Sequence, residues 1–373
     1  MPVSLSKYRL PRQIPSWQRA RIVGELYSTP SMRKAKHVSA NRKPKGESAV
    51  LEQIERIAGR ARVPGAGVRL GIGDDTAIIR GTKGFEQILT CDWFLEGSHF
   101  LRDKHPADAV GWKCLARAVS DIAAMGGVPR CFLLSLALPV SHTGPWLDEF
   151  LGGLRRAAKR FECTLLGGDT TRRKDILINV TVVGEARAGQ AVLRSGALPG
   201  DILFVSGRLG EAELGLHQIR KSKRLANRRD PLLRKHLYPE PRLALGRWLS
   251  EKRLASAMMD LSDGISTDLP RLCTASGVGV KLEAAKLPMV RVPSSGQIRN
   301  FDPLELALHG GDDYELLFTV SSRKQRLIPR SWGGIPLTAI GEITENRGLL
   351  LVGKDGQEDP LPNLGWDPFR KNR

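Results

Sequence analysis

The sequence is poor in aromatic residues, 6% of 373, and holds only 5 cysteines. The cysteines, at positions 91, 114, 131, 163 and 273, include no Cys-x-x-Cys pair. That argues against a zinc ribbon or a disulfide framework and fits a reducing compartment such as the cytoplasm. Long apolar runs are missing too. The longest, Cys131–Val140, falls far short of the roughly 20 residues a membrane helix needs. Nothing near the start resembles the apolar centre of a secretory signal.

Acids are scarce overall, 39 Asp+Glu against 58 Lys+Arg, for a net charge of +19. The imbalance is local. Residues 1–46 carry eleven Lys/Arg and one acid, Glu25, and Arg220–Lys235 carries eight more against Asp230. The rest of the chain is nearly neutral. Two local basic segments on an otherwise nearly neutral chain read as solvated surface and argue against a nucleic-acid partner. Residues 1–46 also lack hydrophobic periodicity and read as a basic, disordered extension. An organelle transit peptide or an upstream translation start would have the same composition.

From Glu47 onward the pattern is that of a folded body. Helical spacing predicts helices ending before Pro64 and over Ala107–Met125, Trp146–Phe161, Gly210–Ile219 and Pro241–Ser250, and from Ser262-Asp263-Gly264 to Thr274. Apolar runs predict strands at Val68–Ile72, Ala77–Ile79, Gln87–Thr90, Phe132–Leu138, Thr164–Leu166, Ile176–Glu185, Asp201–Val205, Ala257–Leu261, Val278–Leu282, Leu316–Val320 and Leu349–Val352. This is a mixed α/β chain of two domains, at 47–186 and 187–373, following the 1–46 extension.

The aspartates fall at the ends of these segments. Asp74-Asp75 follows Gly71-Ile72-Gly73, Asp92 follows Thr90-Cys91, Asp121 closes a helix, and Asp169 follows Gly167-Gly168. Asp260 and Asp263 bracket Leu261-Ser262, and Asp312-Asp313 follows Gly310-Gly311. Strand ends are where ligands bind in α/β folds. Carboxylates gathered without Cys or His favour a hard cation, Mg²⁺ first, and with it a phosphate substrate. Taken singly the residues say less. A Gly-Asp pair is usually a turn, Asp103 and Asp108 read as solvated acids, His99 as a structural histidine and Cys91 as a small buried residue.

In order, the blocks resemble the thiamine-monophosphate kinase family. They are Gly71–Ala77, Thr90–Phe100, Ser120–Gly126, Gly167–Arg172, Leu261–Gly264, Gly310–Leu316 and Gly365–Phe369. The resemblance runs from about Glu47 to Phe369. It implies the aminoimidazole ribonucleotide synthetase-like fold, whose N-terminal domains pair in a homodimer. It also implies direct transfer of a phosphoryl group from ATP to thiamine monophosphate, assisted by several Mg²⁺ ions. Residues 1–90 contain no cysteine, unlike the selenophosphate synthetase branch, and the chain lacks the terminal cysteine of the hydrogenase-maturation branch. Two alternatives stay open: another ATP-using member of the superfamily, and a catalytically silent protein that binds nucleotide or thiamine phosphate.

By the resemblance, Asp75, Thr90, Cys91, Asp92, Asp121, Asp169, Asp260 and Asp263 would hold the metal, with no covalent nucleophile. Gly168, Asp169, Arg194 and Ser262 would meet the nucleotide, and His99, Asp312 and Trp366 the thiamine phosphate. Three positions depart from the family pattern: Cys91 for Thr or Ser, Arg173 for Gly, and Asp312 for Glu. Because residues 1–46 cannot bury enough apolar surface to offset chain ordering, deleting them should leave turnover and melting temperature nearly unchanged. A kinase assay and a thermal melt of the truncated chain check this.

Overall fold

The computed structural model describes residues 68–70, 74–80, 83–293 and 300–370. The expected extension, the helix ending before Pro64 and Gly71–Gly73 lie outside them.

A first sheet contains β1 (Val68–Leu70), β2 (Ala77–Arg80), β3 (Phe85–Leu95), β4 (Val128–Leu138), β5 (Thr164–Arg172) and β6 (Leu177–Arg187). Their order is β1-β2-β3-β6-β4-β5, and β4–β5 is the parallel pair. Two helices, α1 (Ala107–Ala124) and α2 (Pro145–Arg160), accompany this sheet. Val110, Cys114, Leu115, Ala118, Val119 and Ile122 recur at helical spacing along α1, and all are buried, in one core with Ile88, Phe132, Val180 and Val182 of the sheet. The other side of the sheet leaves Trp93 and Leu133 54% and 46% exposed.

The second half holds β7 (Asp201–Ser206), β8 (Ala255–Asp260), β9 (Gly279–Glu283), β10 (Leu316–Ser321), β11 (Ser331–Trp332), β12 (Ile335–Thr344), β13 (Leu349–Val352) and β14 (Glu358–Pro360). They run in the order β14-β13-β9-β12-β7-β10-β8, with β11 beside β12. Its helices are α3 (Glu211–Lys221), α4 (Pro231–Leu237), α5 (Leu243–Glu251), α6 (Ile265–Ser276) and α7 (Pro303–His309). The C-terminal end of α1 joins this half: Ala124 shares a core with Leu245, Leu249, Met258 and Phe318. That contact brings Asp121, near the end of α1, toward Asp260 at the end of β8.

Several expectations change. The strand expected at Thr164–Leu166 runs on to Arg172, because pairing with β4 carries it through Gly167 and Gly168. Asp169 therefore sits within the strand. Asp108 is 5% exposed and meets Arg156, Arg228 and Tyr238, so it is a buried partner of cations and not a solvated acid. Arg228 and Lys235, from the basic stretch, are engaged internally with Asp108 and Glu315. Cys91 is exposed and not buried.

The α1–α2 contact depends on glycine. A Cβ on Gly153 would lie 1.9 Å from the Asp108 carbonyl oxygen, and one on Gly111 would lie 2.0 Å from that of Phe150. Backbone cannot yield as a side chain does, so Gly153→Ala should force the helices apart. We expect a loss of about 1–3 kcal/mol, read as a lower melting temperature in a thermal denaturation.

Candidate active site

The Asp75, Asp121 and Asp260 carboxylates each present an oxygen within 4.8 Å of the other two. They come from three distant segments: the link before β2, the last turn of α1 and the end of β8. Asp75 and Asp260 are almost fully buried, and Asp121 is half-buried. Burial, then the neighbouring carboxylates, pushes Asp121 far above the usual range, and burial with Asp75 pushes Asp260 up to about 7. The Thr90 hydroxyl donates to Asp121. Asp75 Oδ2 is buried with no hydrogen-bond partner. An unpartnered buried carboxylate oxygen among like charges fits a hard cation.

Arg194 sits on the near side of this trio. Its backbone N–H donates to Asp74 Oδ2 at 3.0 Å and its guanidinium pairs with Asp75. Burial, with Asp75 alongside, raises Asp74 to about 6. Asp92 connects the trio to a second region: burial raises its pKa, and it feels Asp263 and Asp312 as well as Arg117, whose Nε is 3.8 Å away.

That second region is a cavity of about 730 Å³. His99, Asp312 and Trp366, far apart in the sequence, all line it, together with Ser262 and Asp263. The His99 and Trp366 rings lie 6.4 Å apart. His99 Nδ1 accepts from the Leu95 N–H at 3.0 Å, and burial, with Arg117 nearby, lowers its pKa to about 3, so a neutral ring faces the cavity. The Trp366 backbone N–H donates to the Asp263 carbonyl at 3.0 Å, which ties the C-terminal segment to the wall. Asp263 pairs with Arg271 at 2.7 Å, and Asp268 accepts from the Ser262 and Asp263 N–H groups to shape their turn.

The block from Asp312 to Glu315 divides its work. Asp312 and Tyr314 both take positive φ, 67° and 50°, a costly conformation for tyrosine. Their N–H groups donate to Ser262 and Leu261 carbonyls at 2.9 Å, and the Tyr314 hydroxyl donates to Asp312 at 2.6 Å. Lys113, 1% exposed, donates to Asp312 at 2.8 Å, and against the desolvation of burial it holds that carboxyl far below its usual range. Asp313 faces away and caps α3 through the Gly210 and Ala212 N–H groups. Glu315 is fully buried against Lys235 and Arg242.

Three further expected residues, Asp169, Gly168 and Cys91, lie outside the carboxylate trio. Every residue of β5 is exposed, and Asp169, in register with Ser135, accepts from the Thr170 N–H at 2.9 Å and is not part of the convergent trio. Gly168 beside it is required by packing, since a Cβ there would lie 1.7 Å from the Leu134 carbonyl oxygen. The Cys91 thiol contacts the Asn179 amide. Lys113 and Arg117 join the site through the structure. Their signal is the spacing Lys113, Arg117, Asp121, which puts all three on one face of α1.

Known proteins agree with this architecture. The family model for the AIR synthase related protein N-terminal domain matches residues 73–186, and that for the C-terminal domain matches 198–354. Curated thiamine-monophosphate kinases from Escherichia coli (strain K12) and Bacillus subtilis (strain 168) are 36% and 34% identical to this chain. The matches cover 85% and 81% of this chain and 97% and 94% of theirs. The solved structure of AaThiL complexed with AMPPCP and TMP aligns with TM-score 0.74 and 32% identity, covering 89% of this chain and 100% of its own. Thiamine-monophosphate kinase from Stenotrophomonas maltophilia K279a aligns with TM-score 0.66 and 33% identity, over 82% of this chain and 96% of that one. The hydrogenase maturation protein HypE of E. coli, at 20% identity, TM-score 0.61, and coverage of 74% of this chain and 86% of its own, shares the fold alone. With both family models matched in chain order and relatives above 30% identity along most of its length, the chain belongs to the thiamine-monophosphate kinase family of AIR synthase related proteins.

Proposed function

We propose that the chain is a thiamine-monophosphate kinase, transferring the γ-phosphoryl group of ATP to the phosphate of thiamine monophosphate to give ADP and thiamine diphosphate. The observation that carries this reading is the cavity where His99, Asp312 and Trp366 meet, linked electrostatically through Asp92 to a buried carboxylate trio. The AMPPCP and TMP of the AaThiL complex are an ATP analogue and the acceptor this reading requires.

The acceptor is itself an anion at neutral pH, so the reaction needs no strong general base. Its difficulty is bringing two phosphate groups together in line. Asp75, Asp121 and Asp260, with Asp92, Asp263, Asp169, Thr90 and the Cys91 backbone carbonyl, are the residues that would hold Mg²⁺. Bound there, the cation supplies charge neutralisation and phosphate alignment. Arg194, Gly168, Asp169 and Ser262 form the nucleotide side. Trp366 offers a flat face to the cationic thiamine ring, and Asp312, kept ionised by Lys113, offsets its positive charge or accepts from its amino group. The neutral His99 ring lies beside them.

Domain limits at 47–186 and 187–373, a homodimer and a cytoplasmic location complete the proposal. The exposed apolar residues Trp93 of β3 and Leu133 of β4, on the face of the first sheet away from α1, support pairing of the N-terminal domains.

Incubation with ATP, Mg²⁺ and thiamine monophosphate should yield thiamine diphosphate, measured by chromatography; ATP consumed without that product would refute the reading. Trp366→Ala should raise KM for thiamine monophosphate about five- to thirtyfold and leave KM for ATP nearly alone, as expected for loss of roughly 1–2 kcal/mol of cation–π stacking. A lower melting temperature with both constants unchanged would make Trp366 only an anchor. Mg²⁺ should raise the melting temperature of the intact chain. In Asp121→Asn, which relieves like-charge repulsion, the metal-free protein should melt higher and the Mg²⁺ increment should vanish.

A further inference from the structure

The kinase reading gives no task to Arg117, a half-buried cation of the cavity wall. Arg117 lies on α1 one helical turn after Lys113 and one turn before Asp121, so the three side chains stand in a row on one face. The Arg117 guanidinium backs onto Phe94, with Cζ 5.5 Å from the ring centroid, and lines the cavity. The side chain is only 15% exposed, yet its ion-pair distance to Asp92 is 3.8 Å, too long for a hydrogen bond. Its Nε is buried with no hydrogen-bond partner.

The other cations near this wall are differently engaged. Lys113 is committed to Asp312, Arg370 donates to the Asn363 carbonyl at 2.8 Å, and Arg220, which also lines the cavity, is exposed to solvent. A largely dehydrated guanidinium with an unfilled N–H is unfavourable unless an oxyanion completes its shell. Phosphate fits that need, because its oxygens match the planar fork of N–H groups.

The position fits as well. Lys113 fixes Asp312, on the thiamine side. Asp121 belongs to the carboxylate trio, on the side of the phosphoryl donor. The acceptor phosphate must lie between the thiamine rings and the donor, and Arg117 occupies that interval, about 5–6 Å along the helix axis from each neighbour. Around it stand Asp92, Asp263 and Asp312, whose combined field would repel an incoming anion. Arg117 is the positive group placed to offset that field.

We propose that Arg117 is the acceptor-phosphate receptor of this site: it grips the substrate's monophosphate through paired N–H···O bonds and so selects thiamine monophosphate over unphosphorylated thiamine. The inference rests on the kinase reading above. It is tested by equilibrium binding to the full chain in the presence of Mg²⁺ and AMPPCP. The dissociation constants of thiamine monophosphate and thiamine are measured for wild type, Arg117→Met and Arg117→Lys. Wild type should prefer the monophosphate. Arg117→Met should weaken the monophosphate about 10- to 100-fold and leave thiamine within about twofold, while Arg117→Lys, which keeps the charge and loses the fork, should fall between.

A phosphate preference that survives Arg117→Met would overturn the inference, and so would equal weakening of both ligands, which marks a structural residue. Should Arg117→Met not fold, Arg117→Lys decides alone: a loss confined to the monophosphate supports the receptor role, and no loss refutes it. A wild-type chain that binds neither ligand would overturn the kinase reading itself, a result distinct from failure of the Arg117 assignment.

Discussion

Three carboxylates, Asp75, Asp121 and Asp260, are held within 4.8 Å of one another where water is largely excluded. Two unit charges at that separation repel by roughly 3 kcal/mol at the effective dielectric of a protein interior. Folding alone would not gather them; the packing around them must. Ala124, one turn beyond Asp121, is locked into a core with Leu245, Leu249 and Met258. Gly246 allows α5 to approach α1 so closely that a Cβ there would lie 2.1 Å from the Ala123 carbonyl oxygen. The junction of the two halves thus forces the acids together, and protonation or a cation relieves the repulsion. The clustered carboxylates thus store electrostatic strain in the fold.

The cavity beside it solves the opposite problem. Thiamine monophosphate carries its cationic thiazolium close to its anionic phosphate, so the receptor proposed here must present both signs within a few ångströms. Asp312 is kept ionised by Lys113 and oriented by Tyr314. Arg117 leans on Phe94 and faces the same space. Both cations come from α1, the helix that also carries Asp121. On the proposed kinase reading, one helix therefore sets the spacing between the thiamine side and the phosphoryl-donor side. Its rigidity comes from the buried apolar face and from the glycine contacts with α2.

Much of this was legible locally. The period of α1 shows in its apolar residues, and the structure places it at Ala107–Ala124 against an expectation of 107–125. The β-branched runs marked most strands. The elements that escaped are short or interrupted: α4 and α7 have seven residues each, and β12 carries Pro336 and a register shift near Gly341. Such segments hold their form through neighbours more than through their own periodicity. The burial of Asp108 is invisible locally for a related reason: its partners Arg228 and Tyr238 arrive from more than a hundred residues away.

The sequence by itself determined the family, through seven short blocks in fixed order, and with them the residue types available for phosphate and metal chemistry. Glycine next to aspartate is a local statement, and local chemistry survives in one dimension. Only the tertiary structure decided which aspartates share a space. Asp75, Asp121 and Asp260 converge, Asp92 bridges, Asp169 remains on an exposed strand, and Asp313 and Glu315 turn away to cap and pair. Coulomb interactions depend on distances through space between residues far apart in the chain. Those distances exist only once two sheets have packed around the end of one helix.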